Sequence, residues 1–307
     1  MEIVLQIATI LAPVFILAGI GYGWCKLGMP FDSEMVTLIV TNLATPCLIF
    51  STLAKLEISP DAFGEIALAA VLCGVCFAIL GRIVLAFLKL PSHSYLPALM
   101  FPNTGNLGLP LCLFAFGPAG LALALGCFTV ASFTQFTIGM ALAAGEWSVK
   151  RLLRTPIIYA LAVALAFMLT HTTPPTWLIN TTNLMGGVAI PLMITALGVS
   201  LAQLRVTRLP LALGLSLVRV AGGFAIGWGV ASAMGLDGSS RGVLMIQASM
   251  PTAVFNYLFA LRFRRQPADV AGVIVMSTLI VFAILPLLLL LVLPEGGGVG
   301  AVTPPAR

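Results

Sequence analysis

Long apolar stretches decide what this chain can fold into. Ten can be delimited, at roughly 3–25, 34–54, 63–88, 95–116, 119–144, 156–171, 181–203, 210–234, 242–261 and 269–293. A helix needs about 20 apolar residues to cross the hydrocarbon core of a membrane. With 60% hydrophobic and 8% charged residues, the chain carries too few charges for a water-soluble globule. The stretches are also too long for the alternating strands of a β-barrel, so we predict an all-α integral membrane protein with ten transmembrane helices.

Lysine and arginine residues lie mostly on one side of these stretches, and cytoplasmic loops retain such residues. The loops after odd-numbered stretches hold Lys26, Lys89, Lys150, Arg151, Arg154, Arg205, Arg208, Arg262, Arg264 and Arg265, whereas the opposite side holds Lys55, Arg241 and Arg307. We therefore predict a multi-pass protein of the plasma membrane, the inner membrane in bacteria, with both termini outside the cytoplasm. Basic cytoplasmic loops also explain the net charge of +5 without a nucleic-acid partner.

A weak internal repeat relates the two halves of the chain. Pro46 and Pro191 each follow a Thr-Asn-Leu sequence and lie 145 residues apart, while Pro102 and Pro251 lie 149 residues apart. Chance can also place prolines in this way. Because five helices per half is an odd number, a true repeat would be inverted in the membrane, as in many secondary transporters. The expected division is a first five-helix repeat (1–145), a cytoplasmic loop (146–155), a second repeat (156–294) and an extracytoplasmic tail (295–307).

The run FPNTGNLGLP, residues 101–110, is the strongest local signal. Its helix-disfavouring residues, Pro102, Gly105, Gly108 and Pro110, predict that the fourth stretch unwinds. The freed backbone groups must then face protein, water or a ligand, because lipid cannot bond them. Polar side chains of Asn103, Thr104 and Asn106 lie at the same level and are candidate substrate contacts. The alternative interpretation is a proline kink capped by Asn and Thr.

The ninth stretch repeats this pattern with Pro251, Thr252 and Asn256, of which Thr252 and Asn256 are further candidate substrate contacts. Two broken helices that meet would bring two helix N-terminal ends together, each equivalent to about +0.5 charge. Such ends attract anions. Helix C-terminal ends and loose carbonyls could instead hold a cation. The pattern favours an organic anion as substrate.

Two other polar residues within the stretches have open interpretations. Gln135 either faces the substrate cavity or forms a hydrogen bond between helices. Arg219 lies deep in the eighth stretch, where an arginine is costly. It either serves function directly or bonds the loosened carbonyls of a broken neighbouring helix.

Acidic and metal-ligating residues do not cluster within the stretches. All ten Asp and Glu residues fall in loops or near the ends of stretches, and the sequence shows no metal-ligand set. We therefore predict no enzyme chemistry, no cofactor and no side-chain proton relay. Facilitated anion movement and sodium coupling through backbone carbonyls both remain open.

The runs PNTGNLGLPL from Pro102, NLATPCLIFSTLA from Asn42 and SMPTAVFNYLFALRF from Ser249 resemble the auxin efflux carrier family. The resemblance implies crossing broken helices 4 and 9 in a mobile transport domain, with helices 1, 2, 6 and 7 as a scaffold. It makes Pro102 and Pro251 the crossover prolines and Asn103 the substrate-contacting asparagine. Unlike the long plant carriers, this chain has only residues 145–155 between helices 5 and 6.

The function implied is secondary transport of small organic anions, such as malate, malonate or auxin-like acids, by alternating access at the helix 4/9 crossover. The partners expected are the anion, the lipid bilayer and a second copy bound through the scaffold helices. A sodium-coupled carrier of the bile-acid type is one alternative. A membrane channel is another, although a channel would favour a ring of charges or a repeated filter.

Overall fold

A computed structural model describes residues 2–53, 60–145, 156–170 and 172–293. The predicted cytoplasmic loop (146–155) and extracytoplasmic tail (295–307) lie outside the described residues. The α-helices are α1 (Glu2–Lys26), α2 (Ser33–Ile39), α3 (Thr45–Leu53), α4 (Pro60–Phe87), α5 (Ser92–Met100), α6 (Leu109–Thr134), α7 (Met140–Ala144), α8 (Pro156–Leu169), α9 (Thr176–Gly187), α10 (Ala189–Gln203), α11 (Leu209–Ala233), α12 (Gly238–Ser249), α13 (Phe255–Arg262) and α14 (Pro267–Val292). Three π-helical turns, Val40–Ala44, Thr104–Gly108 and Gln135–Gly139, adjoin α2 and α3, α6, and α6 and α7, respectively.

Seven described helical stretches are long and apolar enough to cross a membrane. They are Val4–Lys26, Ser33–Leu53, Asp61–Phe87, Thr104–Ala144, Thr176–Gln203, Leu209–Ala233 and Pro267–Val292. The prediction of an all-helical, multi-pass membrane protein is therefore confirmed for the described chain. The count of ten transmembrane helices stays a prediction, because the fourth and ninth predicted stretches are each divided between two shorter helices.

The stretch Thr104–Ala144 is not one straight helix. Its 41 residues would extend about 60 Å at 1.5 Å per residue, twice the thickness of the hydrocarbon core. Gly117 has φ 67° and ψ −161°, a backbone conformation that favours glycine. A Cβ atom on Gly120 would lie 2.8 Å from the Cys112 carbonyl oxygen, eight residues earlier, so the chain folds back at Gly117. This reversal falls between the predicted stretches 95–116 and 119–144.

Glycines let several helices pack backbone to backbone. A Cβ atom on Gly21 of α1 would lie 2.9 Å from the Thr195 carbonyl carbon of α10. Gly186 of α9 lies equally close to the backbone of Leu48 in α3, where a Cβ atom would be 2.8 Å from the nitrogen. Close approach through small residues is the usual means by which helices associate within lipid.

The outer surface of the helices carries large apolar side chains. Phe87, Leu184 and Ile83 are exposed to 86%, 76% and 62%, and many further leucines, isoleucines and valines are at least half exposed. Such a surface would be unfavourable in water and matches a lipid environment. The buried core extends between the helices from α1 to α14 and includes Phe101 and Met250 at the two breaks.

Candidate functional site

The two broken segments lie against each other in an antiparallel arrangement. An isolated β-bridge pairs Pro102 with Thr252. The backbone N–H of Asn103 donates to the Pro251 carbonyl at 2.7 Å, and the N–H of Ala253 donates to the Phe101 carbonyl at 3.0 Å. Backbone groups that the prolines release from helical bonding therefore bond to each other. This pairing satisfies them without water or lipid.

The break in the fourth stretch is shorter than the sequence indicated. We predicted that Pro102, Gly105, Gly108 and Pro110 together unwind this stretch. That prediction is wrong about the length of the unwound segment. The chain leaves helical conformation only at residues 101–103 and resumes with the π-helical turn Thr104–Gly108. Pro110 lies in the first turn of α6, where the missing N–H of a proline is well tolerated.

Gly105 and Gly108 are helical, and side chains from elsewhere in the chain pack against them. A Cβ atom on Gly105 would lie 2.9 Å from the Phe128 ring, and one on Gly108 would overlap the Gln247 side chain. Both contacts come from residues distant in sequence. The prediction from the local sequence that these two glycines break the helix is therefore wrong.

Three of the predicted substrate contacts form the hydrogen bonds that hold the crossing together. The Thr252 hydroxyl donates to the Ala98 carbonyl at 2.8 Å. The Asn256 amide nitrogen donates to the Phe101 carbonyl at 3.3 Å and its oxygen accepts from the Gln135 amide nitrogen at 3.1 Å. Thr252 and Asn256 are buried and do not line the cavity described next, whereas Gln135 does. Thr252 and Asn256 therefore stabilise the crossing through these hydrogen bonds.

A small polar cavity of about 40 Å³ adjoins the crossing. The predicted contacts Asn103, Thr104, Asn106 and Gln135 line one part of it. Elements outside the crossing supply the other part, through Val40, Thr41, Thr45, Ile157 and Met193. The structure therefore brings four of the six predicted contact residues together, between the broken helices and the region of α2, α3, α8 and α10.

Two buried polar atoms at this cavity have no hydrogen-bond partner within the described residues. The Asn103 side-chain oxygen accepts from the Asn106 N–H at 3.2 Å and so caps the helical segment, but its amide nitrogen is unpaired. The Thr45 hydroxyl is unpaired as well, with its side chain 1% exposed. Unpaired buried polar groups are costly and point to an unseen partner. Thr45 was not among the predicted residues; its position directly before Pro46, a proline within an apolar stretch, was the available signal.

The other repeat prolines lie at corresponding local irregularities. Pro46 is the second residue of α3, immediately after the π-helical turn Val40–Ala44. Pro191 is the third residue of α10, after an interruption of the helix at Val188. Each proline thus begins the second part of a long helix, where its missing N–H costs least.

Arg219 lies between the C-terminal ends of the two helices that precede the breaks. Its guanidinium donates to the Leu99 carbonyl of α5 at 3.2 Å and to the Ala248 carbonyl of α12 at 2.6 Å. It also lies 4.1 Å from the centre of the Phe77 ring. Each helix C-terminus carries about −0.5 charge, so two of them match one buried cation. The structure supports the interpretation in which Arg219 bonds the carbonyls of broken neighbours, and it does so for both breaks.

A second polar cluster joins the beginnings of three helices. The Tyr95 hydroxyl of α5 donates to the Asp269 carboxylate at 2.6 Å, and Arg208 pairs with the same oxygen at 3.1 Å. Asp269 is 6% exposed, although it is the third residue of α14. Asp269 therefore lies near a helix end, as predicted, but it is buried and hydrogen-bonded there. No group of three or more potential metal ligands occurs within the described ranges.

Comparison with known proteins places these features in a family. A family model described as "Membrane transport protein" matches the chain twice, at residues 6–147 and 140–289. The chain belongs to this family, which confirms the resemblance to auxin efflux carriers, and it is a membrane transport protein rather than an enzyme. It is 27% identical over 292 residues to an uncharacterized transporter of Methanothermobacter thermautotrophicus, covering 89% of this chain and 94% of that protein. It is also 25% identical over 286 residues to an uncharacterized transporter of Methanocaldococcus jannaschii, covering 86% and 92%.

Proposed function

We propose that this protein is a secondary transporter of small organic anions, such as the carboxylates malate, malonate or auxin-like acids. The observation that carries the proposal is the unpaired amide nitrogen of Asn103 in the polar cavity. An amide N–H donor suits the oxygen of a carboxylate. The substrate would be bound by Asn103 and its neighbours Thr104, Asn106 and Gln135.

Helix dipoles favour an anion at this position. The segment that starts at Thr104 has its N-terminal end, with the positive end of its dipole, at the Asn103 cap. Arg219 lies at the opposite helix ends, where it offsets negative partial charge. The described lining of the cavity contains no acidic side chain. The positive partial charge of the helix N-terminus is therefore not neutralised there.

Ten transmembrane helices in two inverted repeats are part of the proposal. The two matches to the same family model support the repeat. Packing supports it as well, because α1 contacts α10 just as α8 contacts α3, which pairs the first helix of each half with the second helix of the other. The antiparallel bridge between Pro102 and Thr252 supports opposite orientations for the two halves.

The proposed orientation puts both termini outside the cytoplasm in a plasma membrane, with 146–155 inside. The cluster of Tyr95, Arg208 and Asp269 supports this, because it brings together three helix beginnings that the charge bias assigns to the cytoplasm. Arg265 also donates to the Ala143 carbonyl at 3.0 Å, which joins two further predicted cytoplasmic ends. A homodimer through the scaffold helices α1–α3 and α8–α10 completes the proposal, and exposed Trp177 on α9 is available for such an interface.

Alternating access would move the crossing against the scaffold. The cavity of about 40 Å³ is far smaller than the roughly 300–1,000 Å³ of typical small-molecule sites. Its wall is divided between the crossing and scaffold residues such as Thr45 and Met193. Separation of these two groups would enlarge the cavity and open it to one side of the membrane.

The test is uptake into proteoliposomes with a panel of small carboxylates, with and without sodium and proton gradients. Saturable uptake and counterflow of at least one carboxylate are expected. Sodium-dependent accumulation would instead favour the bile-acid type of mechanism. Conductance without saturation or counterflow would indicate a channel and overturn the proposal.

A further inference from the structure

A second and larger cavity lies beside the crossing. Its volume is about 270 Å³, and it has Pro102 and Thr104 in common with the polar cavity. The remaining wall comes from α4, from α6 with its following π-helical turn, and from the ends of α5 and α12. Most of it is apolar, through side chains such as Phe77, Val130 and Ile138. An apolar cavity of about 150 Å³ is enough to bind benzene, so this one can hold a longer organic molecule.

One side chain in this wall is polar and unsatisfied. Gln247 of α12 is 2% exposed, and neither its amide oxygen nor its amide nitrogen has a hydrogen-bond partner in the described part of the chain. Gly108 leaves the space that this side chain occupies. The hydroxyl of Thr134, also in the wall, is already bonded to the Val130 carbonyl at 2.8 Å. Gln247, a residue of the wall, therefore has one unpaired donor and one unpaired acceptor beside an apolar cavity.

The wall of this cavity is continuous with the lipid-facing surface. Val71 and Val75 of α4 line it and are exposed to 45% and 51%. Both belong to a helix that is long and apolar enough to cross the membrane. A ligand can therefore be expected to enter from the bilayer interior rather than from water.

We propose that this cavity binds the undissociated form of an amphipathic carboxylic acid from the lipid phase. A neutral carboxyl group has one O–H donor and one C=O acceptor, which match the free oxygen and nitrogen of the Gln247 amide. The alkyl body would fill the apolar remainder. An ionised carboxylate would leave the Gln247 oxygen unpaired and would bring a charge into an apolar wall.

Nearby ionisable groups do not change this preference. Arg219 is not part of the wall; its guanidinium contacts the Phe77 ring and donates to the Leu99 and Ala248 carbonyls. The ionisable groups in the wall are the thiols of Cys73 and Cys127. This site is distinct from the polar cavity at Asn103, and its occupancy can be measured without transport.

The test uses a medium-length aliphatic carboxylic acid that carries a diazirine, photolysed with the full-length protein in lipid vesicles and mapped by peptide mass spectrometry. Labelling is expected on the α4 and α6 segments that contain Val71 and Val130. It should rise as the pH falls through the ordinary carboxyl range of about 4 to 5. Gln247→Leu removes both polar atoms and should lower the labelling by about tenfold or more, a change in affinity of about 1.4 kcal/mol.

A matched pair of glycine variants separates cavity binding from general lipid contact. Gly74 lines the cavity and Gly64 lies elsewhere on α4; at both positions a Cβ atom would meet open space. Gly74→Leu should block labelling and Gly64→Leu should not. The proposal is overturned if Gly74→Leu labels like the unmodified protein. It is also overturned if an alkyl diazirine without the carboxyl group labels these segments equally at every pH.

Discussion

The backbone N–H of Asn103 donates to the carbonyl of Pro251 across the crossing of the two broken segments, at 2.7 Å. Each proline disrupts its own helix, and the partner segment provides the hydrogen bonds that the helix has lost. The same contact fixes the backbone of Asn103, whose side chain caps the next helical segment at the polar cavity and has an unpaired amide nitrogen. The two halves of the chain thus jointly position the candidate substrate contact.

Removal of the Asn103 amide should abolish or strongly weaken transport. Asn103→Ala deletes the unpaired donor and the cap, and a hydrogen bond to a charged group contributes about 1.5–3 kcal/mol. The expected result is an increase in KM of at least about tenfold for the transported anion, since 1.4 kcal/mol corresponds to a factor of ten. Asn180→Ala, at an exposed position on α9, is the control and should transport normally. If Asn103→Ala transports the anion with unchanged affinity and rate, Asn103 serves only as a helix cap.

Arg219→Met should destabilise the protein by about 2–6 kcal/mol, because it leaves two buried helix C-terminal carbonyls without their donor, at about 1–3 kcal/mol each. The measurement is thermal unfolding in detergent. Arg82→Met is the control, since Arg82 is an exposed arginine on α4 and should change stability little. Equal melting temperatures for the two variants would contradict the structural role of Arg219.

Gly21→Ala should destabilise the packing of α1 on α10, because the new methyl group would meet the Thr195 backbone. Gly19→Ala, two residues earlier, places its methyl group in open space. It should be neutral or stabilise the helix by up to about 1 kcal/mol, since alanine has the higher helix propensity. Comparison of the unfolding temperatures of this pair tests the packing directly, and equal unfolding temperatures for the two variants would contradict the contact between α1 and α10 at Gly21.

The orientation can be tested with single cysteines in a background without the six native ones. His93→Cys lies at the beginning of α5 and is predicted to be cytoplasmic, whereas Thr173→Cys lies between α8 and α9 and is predicted to be outside. Both positions are exposed. A membrane-impermeant maleimide added to intact cells should label Thr173→Cys and spare His93→Cys. The reverse pattern would refute the proposed orientation.

A proton gradient alone should not drive uphill transport, because the polar cavity contains no described acidic or histidine side chain. Asp269 is bonded to Tyr95 and Arg208 at a helix beginning, which favours a structural role. Asp269→Asn should therefore lower stability, by about 1–2 kcal/mol given the exposure of Arg208, and leave coupling unchanged. The membrane potential, worth about 2.3 kcal/mol per charge per 100 mV, would then assist anion export. The contrary result would be accumulation driven by a proton gradient at clamped voltage and lost in Asp269→Asn. It would show that the Asp269 carboxylate carries the proton.

Local chemistry explains what the sequence predicted correctly. Apolar stretches dictate helices in lipid, and the helices break at Pro102 and Pro251, since a proline lacks the N–H that continues the bonding pattern. Asn103 could be identified because it follows such a break directly. The resemblance to a known family rested on these same runs, and the family match confirmed it.

Only the tertiary structure decided which partners these residues have. The carbonyls that Arg219 bonds belong to Leu99 and Ala248, on two other helices, and no spacing in the sequence connects the three. Gly105 and Gly108 looked like helix breakers, yet they are helical and make room for Phe128 and Gln247. Thr252 and Asn256 lie at a broken helix as predicted, but their hydrogen bonds point into the crossing and not into the cavity. A proline acts through its own covalent ring, whereas a polar side chain in a membrane acts through whichever buried group the fold brings to it.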